Sequence, residues 1–241
     1  MNLYERIAQS QLDNWELPSD DLRVDLKKGL VSFGGELRNA TVIRCAQLAA
    51  YRGQIKESKL KNDIDRLKKE GACWHLKVSE EGLPLVLVSG VERNDSVYVR
   101  TANEIQKIVD QCRESIELTV KEVHSATKGY RNVTMLKVKK TKNFEVRFLK
   151  ELDEACCVKD WDDDVFDSLV ESMAAGQRGM FSLKVHVIDL RSNVVIGEVQ
   201  QGGCQLELDG KALTGTNMIE RTLLHRAIAM ARMEGSHYLH A

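Results

Sequence analysis

Between residue 181 and the end of the chain the apolar pattern changes period once, and that change narrows the folds open to it more than any other feature. Phe181, Leu183, Val185 and Val187 alternate at period two, as a half-buried strand requires. Leu-Arg-Ser-Asn at 190–193 supplies turn chemistry, so a hairpin is expected, with 194–200 as its second strand. Gly197 inside that strand predicts a bulge or a close backbone approach, and a sheet that splays there. From Glu220 the spacing becomes helical: Leu223, Ala227, Met230 and Ala231 share one face, Gly235 stands where a C-cap would, and 236–241 reads as a short final strand.

A chain of 241 residues, 43% hydrophobic and 29% charged, can bury one full core and a smaller one, which predicts a soluble protein of one or two closely packed domains. The first fifteen residues hold no basic segment followed by an apolar core, and the apolar run at 83–91 is too short to span a bilayer. A cytoplasmic protein without a membrane partner is expected. Cysteines at 45, 73, 112, 156, 157 and 204 form no CxxC pair, so reduced thiols and no metal site are expected.

Charge is distributed unevenly. Lys121, Lys128, Arg131, Lys137, Lys139, Lys140, Lys142, Arg147 and Lys150 make one stretch strongly basic, and the stretch from Glu151 to Glu171 is as strongly acidic, although the net charge is only −1. In the acidic part Asp162, Asp163 and Asp164 suit a helix N-terminus, with Val165, Leu169 and Met173 as its apolar stripe. That run is read as structural. No internal repeat is visible in the sequence.

Further elements follow from the same rules. Helices are expected near 3–11, 39–52, 56–70 and 102–113, with Leu60, Ile64 and Leu67 forming the stripe of the third and Gly34-Gly35 a turn before the second. Strands are expected near 74–78, 83–89, 96–100, 117–123, 134–139 and 144–149, the last turning Phe144, Val146 and Phe148 inward. The domain boundary is placed between a small N-terminal domain, 1–72, and a C-terminal domain, 73–241.

The order of hairpin, glycine-bearing loop, helix and strand resembles the catalytic half of the GCN5-related acetyltransferase fold. More of the chain resembles the leucyl/phenylalanyl-tRNA protein transferases. GLVSFGGEL at 29–37 is similar to the family's GLLxxGGDL segment, FSLKVHVID to its AHSxEVW strand, VVIGEVQQGG to its LVGGxYG hairpin, and the segment from Thr216 to Ala241 to its NxSKxALxxL helix and LIDxQ strand. Ser182 falls on the family's serine and Asn217 on its asparagine. The resemblance implies an α+β chain: a mixed acetyltransferase-like sheet with flanking helices, and a small N-terminal helical and β unit. It also implies transfer of an amino acid from a charged tRNA to a protein or peptide N-terminus, with the aminoacyl-tRNA as co-substrate and no other cofactor.

The chain departs from that family where the chemistry resides. The WWSPxPR motif has no counterpart after Ile55, and no carboxylate aligns with the glutamate of GESMFS, so Glu207 or Asp209 would have to substitute. His240 stands on the aspartate of LIDxQ and is the candidate base, since imidazole titrates near neutrality. Glu207, Asp209 and His240 are thus the catalytic candidates, with Ser182, Gln200 and Asn217 as substrate-binding candidates. Lys56, Lys59, Lys68 and Lys69 on one helix, with Lys137, Lys139, Lys140 and Lys142 around one strand, are the candidate tRNA contacts. Two alternatives stand beside transfer. One is a catalytically silent homologue that binds RNA or protein. The other is a CoA-dependent N-acetyltransferase, which the loop LTGTNMIER disfavours because it lacks the glycine spacing that cradles pyrophosphate.

Overall fold

The structure is a computed structural model and describes residues 1–51, 56–90, 96–130, 132–153, 156, 158–208 and 217–238. The fold is α+β, with two four-stranded sheets whose described pairings are all antiparallel. The chain divides into Tyr4–Lys121 and a second unit, Met1–Leu3 with Glu122–Ala241.

The first unit runs α1 (Leu3–Asn14), β1 (Asp20–Asp25), β2 (Leu30–Leu37), α2 (Asn39–Tyr51), α3 (Glu57–Lys69), β3 (Cys73–Val78), β4 (Pro84–Ser89) and most of α4 (Ser96–Thr127). Its sheet has the order β1-β2-β3-β4. β3 pairs with β2 through Gly35↔Leu76, Glu36↔His75 and Leu37↔Trp74, so the expected boundary at residue 72 falls inside a sheet. On α3 the stripe Leu60, Ile64 and Leu67 is buried as its spacing predicts. Gly34-Gly35 is not a turn but the interior of β2. A Cβ at Gly35 would stand 2.8 Å from Pro18 Cβ, so the glycine answers to close packing.

The largest departure from expectation is α4. Residues 96–100 and 117–123, read as strands, belong with 102–113 to one helix of 32 residues. β-branched residues suggested strands, but Ile105, Ile108, Val109, Cys112, Ile116, Val120 and Val123 are all buried, at spacings of three and four. The tertiary need for one continuous apolar face outweighed local propensity.

The second unit continues with β5 (Thr134–Lys140), β6 (Phe144–Leu152), α5 (Asp163–Ala174), β7 (Arg178–Asp189), β8 (Val194–Glu207) and α6 (Asn217–Tyr238), and its sheet has the order β5-β6-β7-β8. Although no repeat is visible in the sequence, the connectivity recurs. In both units two strands, a helical segment, two strands and a helix follow one another, with the helical segment inserted between the second and third strands of the sheet.

The apolar cluster of this unit joins Val146, Phe148, Phe181, Leu183, Val185 and Val187 to Leu223, Ala227 and Ala231 of α6. Gly197 permits that closeness: a Cβ there would lie 2.4 Å from the Ala227 carbonyl oxygen. The expected bulge is present, since the register shifts between Val187 and Ile188, but the ladder runs on and β8 extends to Glu207. Three inward assignments change. Phe144, Val165 and Met230 are exposed, and on α5 Phe166 joins Leu169 and Met173 instead of Val165. The N-cap is as expected, with Asp162 accepting from the Asp164 N–H at 3.1 Å. Gly235 does not end α6, which continues to Tyr238 where the final strand was expected. A helical glycine costs only about 1 kcal/mol against alanine and does not by itself stop a helix.

Candidate functional site

Side chains of β7 that point away from the apolar cluster line a polar face. Lys184 pairs with Glu151, Glu145 binds both Lys140 and Arg147, and His186 Nε2 lies 3.6 Å from Glu198. The Lys140 and Arg147 hydrogen bonds hold the Glu145 carboxyl below its ordinary range. At one end of this face the ladder bulges between Phe181 and Leu183, and Ser182 turns into the bulge.

There three polar side chains meet. The Ser182 hydroxyl, 4% exposed, donates to Asp153 Oδ2 at 2.9 Å and accepts from Gln200 Nε2 at 3.0 Å. The same Asp153 oxygen accepts the Gly203 N–H at 3.1 Å. A Cβ at Gly202 would stand 2.5 Å from Asp153 Oδ2, so the glycine lets the carboxylate approach the strand. The network ties the segment after β6 to the bulge of β7 and β8.

Of the expected site residues, Ser182 and Gln200 are brought together. Glu207 is not in that network: it is exposed and lies in register with Arg178 where the β7–β8 ladder ends, beyond the bulge. Asp209 and His240 lie outside the described residues, and Asn217 opens α6. His225 is exposed on α6. Asp153 was not singled out, because a lone aspartate at the head of an acidic run carries no local signal.

The lysines divide between the two units. Lys56, Lys59, Lys68 and Lys69 are exposed around α3. On β5 they divide again by face. Lys137 and Lys139 pair with Phe148 and Val146, on the side of α6, where Lys137 Nζ lies 3.6 Å from Glu220. Lys140 pairs with Glu145 on the opposite side. Lys150, the last of the basic run, points inward: its ammonium sits 4.5 Å from the Phe181 ring centroid and donates to the Glu207 and Leu208 carbonyls at 3.3 and 3.1 Å.

The first unit holds a cleft of ≈ 590 Å³ that sequence reasoning missed, lined among others by Glu36, His75, Lys77, Leu87 and Tyr98. Its walls come from β2, β3, β4 and α4, so no single segment announces it. Among the described residues no group of three or more metal-ligating side chains converges, and no helix is long and apolar enough to cross a membrane. No family model, curated protein or solved structure matches the chain.

Proposed function

We propose that the chain is a protein-binding module without transferase activity, one of the readings its sequence left open. The closure of the Asp153 cluster carries this reading. Ser182, Gln200 and Asp153 direct their hydrogen bonds at one another and at the Gly203 amide, while Glu207 is exposed, lies in register with Arg178 and takes no part in the cluster. Acyl transfer needs donors aimed at a developing oxyanion and a base within reach of the nucleophile. The described polar groups answer to a structural tie instead. Surface suited to a partner lies elsewhere: β5 is a sheet edge on which Met135 is exposed and Val138 is exposed between Lys137 and Lys139.

Incubation with charged tRNAs and acceptor peptides, and separately with acetyl-CoA, tests the reading. No transfer is expected from either donor, and turnover abolished by Ser182→Ala or Asp153→Asn would overturn it. Aminoacyl transfer on an acetyltransferase-like second unit remains the second reading. It draws on the contact between Ser182 and Gln200, two residues assigned to substrate from sequence.

A further inference from the structure

We propose that β5 is the docking edge for an extended acidic segment of a partner protein, which joins the second sheet as an added strand beside Val138 and Lys140. The proposal rests on the protein-binding reading above and gives it a site and a ligand chemistry.

Among the described residues β5 is hydrogen-bonded on one side only, to β6. The Thr141 N–H donates to the Phe144 carbonyl at 2.8 Å where the β5–β6 turn closes. In an antiparallel ladder, residues directed at the neighbour alternate with residues directed away from it. Counting back from Thr141, Lys139 and Lys137 face β6, and Val138 and Lys140 turn their N–H and C=O groups outward. The register is regular across Lys137–Lys140, its one shift lying between Met135 and Lys137. The edge of the first sheet is treated differently: there Gln106 hydrogen-bonds the main chain of β4 at Val86 and Pro84. Among the described residues no side chain does the same for Val138 or Lys140.

The flanking side chains select the occupant. β5 carries three lysines and no carboxylate, and Lys142 extends the charge into the turn. Lys137 and Lys140 have Glu220 and Glu145 as partners, whereas Lys139 and Lys142 have no ion-pair partner among the described residues. Like charge opposes pairing with a second β5, the usual protection of an edge strand. It favours an incoming strand that bears carboxylates. Met135 and Val138, 57% and 36% exposed, offer apolar contact to alternate residues of the same strand. An acidic peptide fits better than RNA. Lysines at 139 and 140 lie on opposite faces of the sheet and do not form one phosphate-tracking surface, and β5 has no aromatic residue for base stacking.

The test uses the full chain, a fluorescent peptide alternating glutamate and valine, a matched peptide with lysine for glutamate, and tRNA. The acidic peptide is expected to bind, less tightly as salt rises, and to slow hydrogen exchange at the Val138 and Lys140 amides. Val138→Pro removes an outward donor at an edge position where proline is tolerated, and should weaken binding at least tenfold. The double variant Lys139→Glu with Lys142→Glu alters only exposed charge and should weaken it severalfold. A peptide that binds both variants as tightly as the parent overturns the β5 site and leaves the protein-binding reading in place. Binding of the lysine peptide in preference to the acidic one overturns the proposed chemistry. So does retention of tRNA, but not of peptide, that is lost in the double variant. Transfer activity is read in its own assay, so failure of the broader reading is distinguished from failure of this site.

Discussion

Gln106 closes the outer edge of β4 at Val86. Its Oε1 accepts the Val86 N–H at 2.7 Å and its Nε2 donates to the Pro84 carbonyl at 2.9 Å, so one side-chain amide stands where the peptide group of a further strand would. Asp110 Oδ1 accepts from the same Nε2 at 3.0 Å and fixes the amide's orientation. Replacing Gln106 by Leu should cost about 1–3 kcal/mol, the usual penalty for leaving partly buried main-chain groups without partners. It should also speed hydrogen exchange at the Val86 amide. Unchanged exchange there would show that this bond does not protect the edge.

Gly197→Ala should destabilise the second unit by about 1–3 kcal/mol, because the new methyl group meets the Ala227 carbonyl oxygen, which cannot rotate away as a side chain could. Urea unfolding monitors the effect. A midpoint equal to that of the parent would mean that α6 does not lie so close to β8.

Ser182→Ala removes the donor to Asp153 and the acceptor of Gln200 together. The expected loss is about 1–3 kcal/mol. A double-mutant cycle of Ser182→Ala with Asp153→Asn should give strongly non-additive losses, since the two side chains share one network. Additive losses would dissolve the network as a unit.

Thiol reactivity should follow burial. Among the described cysteines, exposed Cys73 should react first with an aromatic disulfide reagent in the native protein. Burial pushes the Cys45 and Cys112 thiols up to about 12, so they should react only on unfolding. Fast native modification of either would contradict their placement.

Glu145 should make the second unit acid-sensitive. Its folded pKa is depressed, first by the Lys140 hydrogen bond and then by that of Arg147. The stabilising contribution is therefore fully present above the unfolded carboxylate value and is lost as pH falls through the lower folded value. Lys140→Ala should shift the acid limb of a Tm-against-pH curve toward higher pH. An unmoved limb would show that this ion pair adds nothing to stability.

Where one side chain per turn or per second residue carries the information, the elements were legible. The stripe of α3, the Asp162 cap of α5 and the strand alternation around Val185 and Val187 all stand as their spacing predicts. Legibility failed where two local signals competed. Glu117 to Val123 is rich in β-branched residues yet also continues the spacing of Ile105, Cys112 and Ile116, and the tertiary demand for a continuous buried face decided for helix. Gly235 failed for the opposite reason, being a possible stop that no proline follows in the sequence.

The candidate site was legible only by halves. Ser182 and Gln200 sit on neighbouring strands of one hairpin and were chosen together, but Asp153 is 29 residues before Ser182 and entered only through the pairing of β6 with β7. The lysines of β5 illustrate the same limit, since their number is plain in the sequence while their division between two faces follows from register.

What the amino-acid sequence determined by itself was the periodicity of each segment, because side-chain spacing is a property of the local backbone. Which strands are neighbours, which edge Gln106 closes and which β5 leaves open, and which three polar residues share a bulge were decided by tertiary structure. Those depend on contacts between segments far apart in the chain, which no local spacing encodes.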